Sequence, residues 1–200
     1  MVRLMPSGEE VQQYLTGVWQ MMLGRSEGLS LLDLSVDGFW NSFYAIMVAL
    51  PALVVGWVAI ANSVSYAVYF EVRFAILLRL FIVDMGAWVL PLAVLGAISR
   101  PAGIASRFVH YVVASNWASA LFAWLMLPSA LLRLFWPGAQ ELTLFVSIVL
   151  FIASLVLSWR LTIIAIGRGL ATGSAVFLGM LVTSITALML LQELLGLDFQ

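Results

Sequence analysis

Five long apolar stretches, parted by short segments that carry arginine, acid or proline, set the pattern of the chain. A helix rises about 1.5 Å per residue, so a hydrocarbon layer of roughly 30 Å takes about 20 apolar residues to cross. The stretches fall at about 39–61, 76–98, 108–132, 142–159 and 169–191. None sustains the period-two alternation of a barrel strand, so each is predicted to be a helix. The fold class that follows is all-α. It is a polytopic integral membrane bundle of five transmembrane helices, residues 39–200, behind an N-terminal segment, residues 1–38. Arg73 and Arg100 bracket the second stretch, Arg107 and Arg133 the third, Glu141 and Arg160 the fourth, and Arg168 and Glu193 the fifth. The segments between the later spans (Ser99–Ser106, Pro137–Glu141, Arg160–Arg168) are too short for a domain outside the membrane. Neighbouring spans therefore run antiparallel.

The N-terminal segment has a different period. Val11, Tyr14, Leu15, Val18, Trp19 and Met22 share one face of a 3.6-residue helix, with Gln12, Gln13, Thr16 and Gln20 on the other. Ser7-Gly8-Glu9-Glu10 reads as a capping box and Gly24 as a stop, which predicts an amphipathic helix over 7–23. A short apolar run follows at Leu29–Leu34, and Asp37 stands where it can cap the first span. Surface-bound helices usually offer bases to anionic lipid, whereas this one carries Glu9 and Glu10 and no base between Arg3 and Arg25. Its apolar face has two possible seats: the membrane interface, which is the expectation, or a bundle, its own or another subunit's.

Arginine placement gives orientation. Arg3, Arg25, Arg100, Arg107, Arg160 and Arg168 fall on the N-terminal side, against Arg73, Arg79 and Arg133 opposite. The expected setting is a bacterial inner (cytoplasmic) membrane with the N-terminus cytoplasmic and the C-terminus periplasmic. Residues 1–38 lack the unbroken apolar core of a cleavable signal peptide. Trp40, Trp136 and Trp159 stand at predicted span ends, where an amphipathic ring prefers the headgroups.

Composition then narrows the chemistry. The chain is 64% hydrophobic and 10% charged, which no water-soluble surface sustains. It has no cysteine, a single histidine (His110), and no lysine among its nine basic residues. Thiolate metal sites, two-histidine zinc motifs, Schiff-base chemistry and the P-loop lysine all lack their residues. No G-x-S-x-G occurs, and intramembrane aspartyl chemistry lacks a second deep carboxylate. An enzyme is not expected, nor a metal or other cofactor. A net charge of −1 without basic patches argues against nucleic acid.

Polar groups at membrane depth are costly and draw attention. Asp84, about 24 Å along the helix from Arg100, is the deepest, and the same rise puts Ser184 of the fifth span at its level, with Thr183 and Thr186 beside it. It reads either as a hydrogen-bonding group between helices, the expectation, or as a proton or cation site. Arg79 is expected to snorkel to the headgroups and His110, one turn from Arg107, to be interfacial. Asn116 needs a partner on another helix, while Pro51, Pro91 and Pro128 loosen three spans. On the fifth span Ala171, Ala175, Gly179, Thr183 and Ala187 recur every four residues beside a Gly169-x-x-x-Gly173 motif. Such a stripe lets two helix backbones approach closely, with Ser115, Ser119 and Ala123 of the third span as the natural mate.

A polar, acidic N-terminal segment followed by five spans, N-terminus inside and C-terminus outside, resembles the Yip1 family of membrane proteins. The family's Asp-Leu-x-Gly-Pro signature has an echo in Asp33-Leu34, followed here by Ser35-Val36-Asp37-Gly38 with no proline. The resemblance implies a non-enzymatic protein that associates with other membrane proteins, and it assigns no site residue. The function expected is that of a non-catalytic subunit or scaffold acting through helix contacts, with the lipid bilayer and other membrane subunits or a second copy as partners. Two alternatives stand beside it. One is a small transporter or channel component using Asp84, the other a lipid-interacting, membrane-shaping protein working through residues 7–34.

Overall fold

The computed structural model describes residues 5–64 and 70–197; Arg3, counted above for orientation, lies outside them. Seven α-helices and no strand occur among the described residues. Helix α1 (Gly8–Met22) is followed by a 3-10 turn (Ser26–Leu31) and the short α2 (Val36–Asn41). The long helices are α3 (Ala45–Val64), α4 (Phe70–Ile98), α5 (Phe108–Phe135), α6 (Gln140–Ile166) and α7 (Gly169–Leu194). Among the described residues, five stretches are long and apolar enough to cross a membrane: Val36–Asn62, Phe70–Ile98, Ala105–Phe135, Gln140–Ile166 and Gly169–Leu194.

The local signals at the start of α1 hold in detail. Ser7 Oγ accepts from the Glu10 backbone N–H at 3.2 Å, and Glu10 Oε2 accepts from the Ser7 backbone N–H at 2.5 Å. Gly24, at φ 87°, takes the left-handed conformation just past the helix. The first span begins otherwise than expected. Ser35, not Asp37, provides the cap, its hydroxyl accepting from the Gly38 N–H, and a 3-10 turn (Ser42–Tyr44) separates α2 from α3. The fourth span runs seven residues past Trp159 to Ile166, ending on Gly167 at φ 59°. Arg160 was expected to close it, but lies on the exposed side of the continuing helix, its guanidinium donating to the Leu23 carbonyl.

The long helices form a ring: α3 lies on α5, α5 on α6, α6 on α7 and α7 on α4, which closes back on α3. The main core sits where α1 meets this ring. Val18, Met21 and Met22 are fully buried together with Val112, Val113, Trp117 and Leu161. The amphipathic face of α1 thus lies on its own bundle, on α5 and α6, and not at the lipid interface. Tyr14 stacks obliquely on Trp117, ring centroids 5.1 Å apart, with Val11 and Leu15 half-buried beside the core. Trp19 is 47% exposed, at the edge of this face. Arg160 Nη2 donates to the Leu23 carbonyl at 2.6 Å, placing a cation at the negative end of α1. The 3-10 turn closes tightly over α1: a Cβ on Gly17 would sit 2.7 Å from the Gly28 carbonyl oxygen.

Candidate functional site in the membrane: indole stitches and adjoining cavities

A tryptophan in a helix that crosses lipid must find an acceptor for its indole N–H, since no water is there to serve. Four do so across helices. Trp57 of α3 donates to Asp84 Oδ2 of α4 at 2.6 Å, and Trp88 of α4 to Asn116 Oδ1 of α5 at 2.9 Å. Trp124 of α5 donates to the Val48 carbonyl of α3 and Trp159 of α6 to Ser174 Oγ of α7, both at 2.9 Å. The Trp88 bond begins a longer relay. Asn116 Nδ2 donates to Ser42 Oγ at 2.8 Å and Ser42 Oγ to the Phe39 carbonyl at 2.7 Å, so α4, α5 and the turn before α3 are joined through one fully buried amide.

Asp84 therefore has a different neighbour from the one expected. Its acceptor oxygen serves Trp57, while Ser184 faces a separate cavity and Thr183 bonds its own helix at the Gly179 carbonyl. Rise per residue fixes a group's height but not the direction it faces. Arg79 is exposed on α4, and His110 is half-buried in the first turn of α5, its Nδ1 enclosed with no hydrogen-bond partner among the described residues.

The small-residue stripe of α7 also differs from expectation. Its mates are α4 and α6, not the Ser115, Ser119 and Ala123 face of α5. The closest approach is at Gly173, where a Cβ would come within 2.8 Å of Ile163 Cα. Ala187 is buried and Thr183 half-buried, but Gly169, Ala171, Ala175 and Gly179 are exposed, with open space over Gly179. Ala175, Gly179 and Thr183 line a groove of about 280 Å3 whose other wall is Val94, Leu95 and Ile98 of α4.

Among the pockets that open between helices of the ring, two take in the polar residues of the spans. One, of about 380 Å3 between α3, α4 and α5, carries Asp84 and Trp57. The other, of about 180 Å3, lies between α4, α5, α6 and α7 and is lined by hydroxyls and aromatic rings without a formal charge. Trp88, Ser119 and Phe122 line both and so form their shared wall. Sequence reasoning found Asp84, Asn116 and Ser184 singly. The signal it passed over was the tryptophans inside the spans, each of which demands an acceptor.

No family model, no curated protein and no solved structure matches the chain.

Proposed function

We propose that this multi-pass membrane protein works by contact: a non-catalytic subunit or scaffold of a bacterial inner membrane, N-terminus cytoplasmic, that holds a helix of a second copy of itself. The observation carrying this reading is the outer face of α7, where Ala171, Ala175 and Gly179 stand exposed in a row beside the groove against α4. In lipid, helices associate through close backbone approach over small side chains, and a row left uncovered within one chain is available to another. The layout shared with the Yip1 family is in keeping with such a role. A membrane-shaping role through residues 7–34 has less behind it, since Val18, Met21 and Met22 are covered by the bundle and Trp19 and Leu23 are the large apolar side chains this segment leaves exposed.

The cysteine-free chain suits disulfide mapping. Ala171→Cys, Ala175→Cys and Gly179→Cys, oxidised in native membranes, are expected to give linked dimers, with Leu178→Cys and Val182→Cys giving far less. Equal linking at all five positions would mean random collision and would sink the reading.

A second reading, a small transporter component using Asp84, is favoured by one observation. The Asp84 side chain lines a cavity instead of a solid helix contact.

A further inference from the structure

The cavities inside the ring adjoin one another in series. At the end of the bundle that carries the α5–α6 turn, a space of about 580 Å3 is lined by Asn62, Arg133, Gln140 and Thr143. It shares Ala59 and Arg133 with a smaller space of about 190 Å3. That in turn shares Gly56, Ile60, Met126 and Ala130 with the Asp84 cavity, which meets the innermost one at Trp88, Ser119 and Phe122. The series begins at a polar mouth and ends inside the bundle, toward the end where α1 is docked.

The innermost cavity has the chemistry of a binding site. Ser119, Ser158 and Ser184 line it, and their hydroxyls make no hydrogen bond among the described residues. Ala87 and Pro91 line it too, and Pro91 has no N–H to return to the Ala87 carbonyl four residues before it. Tyr111 sets its phenol beside the Thr162 hydroxyl on the same wall. Unused hydroxyls offer both donors and acceptors, the freed carbonyl adds an acceptor, and the faces of Trp88, Phe122 and Phe177 suit C–H surfaces. No carboxylate or base lines it, so an ion would lose its hydration without a counter-charge. A cavity of about 150 Å3 is known to hold a ligand the size of benzene, so about 180 Å3 fits a solute of about six heavy atoms.

We propose that the innermost cavity binds a small uncharged polyol of glycerol size, which enters along the series of cavities from the α5–α6 end. This is independent of the contact proposed for α7. Ser119→Cys and Ser184→Cys are near-isosteric probes in a chain without native cysteine. In the full-length protein in lipid nanodiscs, both thiols are expected to react with methyl methanethiosulfonate, which is uncharged and of the size the cavity takes, while lipid-facing Leu178→Cys stays inert. Glycerol at molar-to-millimolar concentration is expected to slow both reactions several-fold, and sucrose, too large to enter, to leave them unchanged. Inert thiols in a monodisperse protein would overturn the access route. Reactive thiols that glycerol does not protect, or that sodium or potassium ions protect instead, would overturn the polyol site. A lost α7 dimer with retained glycerol protection would separate the two proposals.

Discussion

Trp57 and Asp84 meet at 2.6 Å across the α3–α4 boundary, the indole N–H donating to the carboxyl oxygen. Asn keeps an acceptor at that place and Leu does not. Asp84→Asn is therefore expected to fold with little loss. Asp84→Leu leaves the indole unpaired and should destabilise by about 1–3 kcal/mol, read as a lower unfolding midpoint in detergent titration. Equal midpoints for the two variants would deny the bond its structural role.

Asn116 joins Trp88 to Ser42 with no exposed surface. Asn116→Leu removes the acceptor of one and the donor to the other, at a cost of about 2–3 kcal/mol. A double-mutant cycle with Trp88→Phe is expected to show coupling, because either change alone breaks the same bond. Strict additivity would contradict this.

The seat of α1 is tested at its two ends. Met21→Ala opens a void in the fully buried layer and is expected to weaken docking by about 2–3 kcal/mol. Arg160→Ala removes the guanidinium from the Leu23 carbonyl, a smaller loss of about 1 kcal/mol. Both should speed tryptic cleavage after the exposed Arg25 in proportion. Cleavage unchanged from wild type would place the anchoring of α1 elsewhere.

Tyr14 gives this docking a pH dependence. Burial, then the carboxylates of Asp33 and Glu10, hold its phenol above the ordinary tyrosine range. A phenol that ionises later when docked than when free binds more protons in the docked state, so stability is full below about pH 10 and falls as pH rises beyond it. Cleavage after Arg25 should accelerate there, and Tyr14→Phe should flatten the rise. An identical alkaline profile in that variant would remove Tyr14 from the cause.

The five spans were legible because hydropathy and length are properties of sequence alone, and the cap at Ser7 because its partners lie within three residues. What lay beyond was direction. Amphipathicity marked Val18 and Met22 as a face to be covered but could not say that α5 and α6 cover it. Height paired Asp84 with Ser184, and the facing of α4 gave it to Trp57 instead. Arg160 looked like a boundary because it ends the apolar run, but the helix carries it onward on an exposed face, where it meets the Leu23 carbonyl 137 residues away. The cavities escaped notice altogether, since a void belongs to several helices at once.

The place where α1 rests has a consequence for how the chain is made. Gly8–Met22 leaves the ribosome well before α5 and α6, yet its seat is built from those two helices. At the usual pace of synthesis, on the order of 10 s separates the two events. Through that interval Met21 and Met22 lack the cover of α5 and α6, and the finished bundle closes over a helix that has waited for it. A helix translated before the spans is seated only after them, so the docking of α1 reports that α5 and α6 are in place.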